Sequence, residues 1–131
     1  GALRDAARGD AAVDSLMLTA AQLARRAWER AGTWVHVERA DYVLALCLVA
    51  LGQGAAAVAS AQACLARCEA EDPDDACELF FAHACNVQAQ HSAGDMAAAA
   101  RHRAQMVALL ARIQDGGMRQ SCEQTLAGTP Q

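Results

Sequence analysis

Residues that interrupt helices recur along this chain at nearly even intervals. The marks are Gly9, Gly32, Gly52, Pro73, Gly94 and Gly116, roughly 21 residues apart. Glycine closes helices because it takes a left-handed backbone conformation at no steric cost. Proline suits a first helical position because it has no N–H to satisfy there. Between the marks, apolar residues return at spacings of three, four and seven. Val13, Leu16, Ala20, Leu23 and Ala27 form one stripe, and Val43, Leu44, Cys47, Leu48 and Leu51 another. Val58, Ala61, Leu65 and Cys68 form a third, and Met96, Ala99, Met106, Leu110 and Ile113 a fourth. Each stripe is one face of an α-helix, and no alternating strand pattern competes.

The expectation is an all-α chain: five long helices and a short sixth with Met118, Cys122 and Leu126 on its apolar face. Tight turns make consecutive helices antiparallel, so they pair as hairpins. The caps agree. Thr33 follows Gly32, Asp72, Asp74 and Asp75 flank Pro73, Asp95 follows Gly94, and Asp115 precedes the last helix. Acids there meet the positive end of a helix dipole. Alanine is the commonest residue and aromatics make up only 4 %, which favours helix and lets small side chains pack closely.

The 131 residues suffice for one domain, spanning 1–131, with a modest core. A chain that starts at Gly1 without Met is also compatible with a piece of a longer protein. A net charge of −4, with all eleven basic residues arginine, argues against a nucleic-acid partner, which needs a basic face. No apolar run is long enough to span a membrane. No signal peptide is visible in "GALRDAARGD", so the expected location is cytoplasmic and the six cysteines are expected to be reduced and structural.

Every second element looks alike. "RGDAAVDSL", "LGQGAAAVAS" and "AGDMAAAARH" each pass from Gly through a small or polar residue into an Ala-rich run. Their glycines, Gly9, Gly52 and Gly94, lie about 42 residues apart, a period that belongs to solenoids. With Leu44 and Ala45 before Gly52, and Ala57, Cys64 and Leu65 after it, the chain resembles the tetratricopeptide repeat family in a long-hairpin form. Ala99 repeats the pattern after Gly94, but Asn86 stands where the counterpart of Leu44 belongs. The resemblance implies a right-handed stack of antiparallel helical hairpins, a TPR-like α-solenoid closed by the short last helix. It also implies a partner-binding groove lined by Arg39, Tyr42, Leu46 and Val49 from the second helix. From the fourth it would take Phe81, Ala84, Gln88 and His91.

Several residues invite a chemical reading. His83, Asn86 and Gln90 share one face of the fourth helix, and Cys85 points elsewhere, which weakens a Cys–His nucleophile there. A hydrogen-bonded polar layer between helices is the simpler reading. Cys64 and Cys68, one turn apart with Cys77 nearby, and His91 with His102 either side of Gly94, have metal-ligand chemistry. A structural zinc site usually draws four ligands from short paired spacings, and no CxxC occurs. Core packing accounts for them. The acidic run "EAEDPDDACE" reads as a solvated turn with capping charges, or as a dock for a basic segment. Trp28 and Trp34 bracket the first turn and should form a local apolar cluster. "ARRAWER" should leave Arg25, Arg26 and Glu29 outside.

The expected function is a scaffold or adaptor that binds a protein or peptide, with no catalytic residue, no metal and no cofactor. A small-molecule or metal-binding sensor using the polar residues of the fourth helix is the alternative. A second copy of the chain, meeting it through a helix face or the N-terminal end, is a further expected partner.

Overall fold

The computed structural model describes the backbone of residues 2–130 and the side chains of residues 12–130. Among these residues the chain is all-helical, without a strand. The helices are α1 (Ala2–Ala31), α2 (Trp34–Ala50), α3 (Gly54–Glu71), α4 (Ala76–Ser92), α5 (Met96–Leu110) and α6 (Gly116–Ala127). Among the described residues, no helix is long and apolar enough to cross a membrane. Each helix packs on the next, and α4 additionally contacts α2 and α6. Arg39 meets Glu78 and Tyr42 meets Phe81. The offset is the same in both pairs, so α2 and α4 run in parallel.

Two turns share one construction. Gly52 and Gly94 have φ of 72° and 87°, where a side chain would be strained. The Gly52 N–H donates to the Val49 carbonyl and the Gln53 N–H to that of Leu48. The Gly94 and Asp95 N–H groups repeat this with His91 and Gln90. This pattern satisfies the last carbonyls of α2 and α4 and stops both helices. Asp95, Asp75 and Asp115 then cap α5, α4 and α6 by accepting from Ala98, Glu78 and Met118 N–H respectively.

The other marks behave differently. Gly9 ends nothing: α1 runs unbroken through it. One glycine inside a helix costs only about 1 kcal/mol relative to alanine, too little to break a 30-residue segment. Pro73 lies in the turn between α3 and α4, and α4 begins after the Asp75 cap rather than on the proline. Gly116 is the first residue of α6, and α5 already ends at Leu110. Gly54 matters although it marks no break. A Cβ there would lie 2.9 Å from the Ala93 backbone, so the start of α3 abuts the end of α4.

The core lies between α2, α3, α4 and α5. Ala57, Ala61, Cys64 and Cys68 of α3 face Leu79, Phe80 and Cys85 of α4, with Met106 and Leu109 of α5 and Cys122 of α6 closing it. All six cysteines are free, and all but Cys77 are buried. The expected stripes hold for α3 and for much of α5. In α1 the stripe faces away: Val13, Leu16 and Leu23 are exposed. Ala21 is buried there, and Leu18 packs on the core.

Candidate functional site

The face built by α2, α4 and α6 is a trough with a cavity volume near 360 Å³. Three groove residues expected from the resemblance meet in it: Arg39 and Tyr42 of α2 and Phe81 of α4. Glu38, Val43, Cys77, Glu78 and Met118 complete its walls. The Tyr42 and Phe81 rings meet edge to face, with centroids 6.3 Å apart, the arrangement that aromatic quadrupoles favour. Phe81 also leans on the buried Phe80, with centroids 5.3 Å apart, so the floor is anchored in the core. Val43 is 48 % exposed and Met118 39 %, which gives the trough an apolar rim. The Arg39 guanidinium pairs with the Glu78 carboxylate across it.

The remaining expected groove residues lie elsewhere. Leu46 lines a neighbouring hollow with Asp14, Met17 and Cys47, joined to the trough only through Val43. Val49 is half-buried against the core. Ala84 is buried, and Gln88 is half-buried outside the trough. His91 is exposed beside Met96, Arg103 and Pro130 on the α5 side. Position along the helix explains much of this. Gln88 and His91 lie seven and ten residues beyond Phe81, about 10 and 15 Å further along α4, where it meets other neighbours.

Beneath the trough lies a buried polar cluster. The Glu38 side chain is on α2 and those of Cys64 and Cys68 are on α3. Their ligand-type atoms all lie within 4.8 Å of one another. The Cys64 thiol donates to Glu38 Oε1 at 3.2 Å, and the Cys68 thiol points at the Glu78 carbonyl at 3.9 Å. Glu38 Oε2 has no partner. Burial, and then the nearby Glu78 carboxylate, push the Glu38 carboxyl up to about 7. Burial also acts to raise Glu78, but Arg39 and Glu38 outweigh it and hold Glu78 below the usual carboxylate range. One proton shared by this pair therefore sits on Glu38. Cys68 acts to lower the Cys64 thiol, yet Cys85 and burial prevail and raise it. The Cys68 thiol is raised by Cys64 and by burial. As thiols, both are poor nucleophiles.

Asn86 and His83 of α4 are used internally. The Asn86 amide donates to the Ala61 carbonyl of α3 at 2.9 Å and to the Ala82 carbonyl at 2.8 Å. This is the polar layer between helices, and it explains an asparagine where leucine was expected. Gln90 is buried. His102 does not approach His91; its Nδ1 lies 2.9 Å from Nδ1 of His83. Burial, then the neighbouring His102, lower His83 to about 4. Burial, then Arg101, lower His102 as well.

Other expectations need correction. Trp28 stacks on His36, with centroids 4.2 Å apart, rather than clustering with Trp34. Arg25 is not left outside: it reaches the buried Asp41 at 2.6 Å and also binds Glu29. In the acidic run, Asp75 caps α4 and Glu78 enters the trough.

Sequence reasoning missed Glu38, Glu78, Val43 and Met118. Glu38 left one usable signal: a carboxylate at the start of "VERADYVLALC" shares a helix face with Tyr42. No family model, curated protein or solved structure matches the chain.

Proposed function

We propose that this chain is a TPR-like stack of antiparallel helical hairpins, α2–α3 and α4–α5 with α6 as cap, that binds a protein or peptide segment along the α2–α4–α6 trough. The observation that carries this reading is the edge-to-face pair of Tyr42 and Phe81, contributed by the two hairpins, on the floor of an apolar-rimmed trough. Preformed concave sites with aromatic anchors and a few placed charges suit recognition. Three features support the hairpin stack: the repeated Gly52 and Gly94 turns, the contact of α2 and α6 with α4, and the small residue Gly54 where successive turns abut.

The recognised segment presents an aliphatic or aromatic side chain to Tyr42 and Phe81. A charged group beside it reads the Arg39–Glu78 pair. Binding requires no chemistry. Of the polar residues of α4, Asn86 is hydrogen-bonded between helices and His83 meets His102, which favours the trough over a small-molecule sensor built on them.

The test is selection from a random peptide display library on immobilised wild type, with Phe81→Ala and Leu16→Ala as comparison surfaces. Peptides enriched on wild type and Leu16→Ala but lost on Phe81→Ala, with a shared apolar anchor, support the reading. Enrichment indifferent to Phe81→Ala overturns it.

A further inference from the structure

The carboxylate and two thiols below the trough form a group the recognition reading does not use. Among the described residues, Glu38, Cys64 and Cys68 are buried and converge with every pair of ligand atoms within 4.8 Å. A tetrahedral zinc with bonds of about 2.3 Å to sulfur and about 2.0 Å to oxygen separates its ligand atoms by roughly 3.5 to 3.8 Å. The observed S···O distance from Cys64 to Glu38 is 3.2 Å and no pair of ligand atoms is more than 4.8 Å apart, so an ion needs only small adjustments of these ligands.

Core packing alone does not account for Glu38. A carboxyl group is expensive to bury, and a thiol is a weak donor to offset that cost. Glu38 is 1 % exposed, and apart from the proton it shares with the like-charged Glu78 its Oε2 has no donor. Cys64 and Cys68 stand one helical turn apart on α3, so both sulfurs share one face, with Cys64 against Glu38 of α2 and Cys68 against the Glu78 carbonyl of α4. Two sulfurs and one carboxylate oxygen make a donor set for a borderline-soft divalent ion rather than for calcium or magnesium.

We propose that Glu38, Cys64 and Cys68 form a binding site for a thiophilic divalent cation of the zinc class, tying α2 to α3 under the trough. Glu38 and Glu78 both line the trough wall, which makes that side the nearest approach to the cluster. On binding, the cation replaces the two thiol protons and the proton held by the Glu38 carboxyl, all of which pass to solvent; no electron is transferred and no oxidant is needed. Arg39 keeps the Glu78 carboxylate beside Glu38 and offsets part of the negative charge. The site stands independently of peptide recognition, because it needs neither Tyr42 nor Phe81.

The experiment titrates the reduced full chain with cobalt(II) alone, then displaces it with zinc. One equivalent of cobalt should give the intense visible bands of a tetrahedral ion and a sulfur-to-metal charge-transfer band, bleached by zinc. Cys64→Ala and Cys68→Ala should each lose about half of that band or all binding, and Cys122→Ala should retain it. Glu78→Gln, which alters a group beside the ligands, should weaken affinity by about 10- to 100-fold. A second reading uses wild type alone, so it survives misfolding of any variant. Zinc should slow alkylation of Cys64 and Cys68 more than that of any other cysteine, including the equally buried Cys85 and Cys122. Absence of a saturable thiolate–cobalt band overturns the proposal, as does zinc protection no greater at Cys64 and Cys68 than at the other buried cysteines.

Discussion

Helices α1 and α4 show opposite relations between pattern and burial. The sequence of α1 carries a clean apolar stripe, yet Leu16 is 70 % exposed and Leu23 58 %. The sequence of α4 mixes Asn, Gln, His and Cys among apolar residues, yet Phe80, Val87, Ala89 and Asn86 are fully buried. Amphipathicity records that a helix has an apolar face; it does not say what covers that face. A helix with neighbours on most sides has no solvent face to keep polar, so its pattern blurs. Asn86 is accommodated there because its amide N–H groups reach the Ala61 and Ala82 carbonyls. At its edge, α1 is held by Ala21, Leu18 and the Arg25–Asp41 pair.

The comparison breaks most visibly under truncation. Phe80→Ala should cost about 3–5 kcal/mol in denaturant unfolding, because it empties the centre of α4. Leu16→Ala should change stability by no more than about 0.5 kcal/mol. If Leu16→Ala costs as much as Phe80→Ala, then something covers α1 in solution.

Next in size are two changes that test how α4 is seated. Asn86→Ala should cost about 1–3 kcal/mol, since it strips the Ala61 carbonyl of its buried donor. Gly54→Ala should cost a similar 1–3 kcal/mol, because the added methyl meets the Ala93 backbone, which cannot move without shifting α4. Equal stability of Gly54→Ala and wild type, read by thermal unfolding, would mean that the two turns do not abut.

A smaller effect is set by pH. His83 is lowered from 6.5 to about 4 in the folded chain, so the unfolded chain binds the proton more readily. The stability this provides is complete above about 6.5 and is lost as pH falls toward about 4. His83→Asn should flatten that window when unfolding free energy is followed across it. An unchanged slope would place the dependence on other groups.

The fold was legible where local chemistry decides it. Helix number, the Gly52 and Gly94 stops and the Asp95 and Asp115 caps all follow from backbone conformation and hydrogen bonding within a few residues. Gly9 misled because its helical neighbours outvote one glycine, and Pro73 because the Asp75 cap sets the start of α4. The trough was legible at Arg39, Tyr42 and Phe81. It was lost at Leu46 and Val49 of α2, which meet α1 and the core, and at Ala84, Gln88 and His91, whose surroundings depend on how α4 sits against four neighbours. Glu38 was invisible as a buried group because the thiols that meet it lie 26 and 30 positions further along the chain.

The most direct test of recognition by the α2–α4–α6 trough is titration of a selected peptide into isotope-labelled protein, following backbone amide and side-chain resonances. Perturbations should concentrate at Arg39, Tyr42, Val43, Phe81 and Met118, and Phe81→Ala should abolish them. Perturbations centred on Val13, Leu16 and Leu23 would move recognition to α1 and contradict the account.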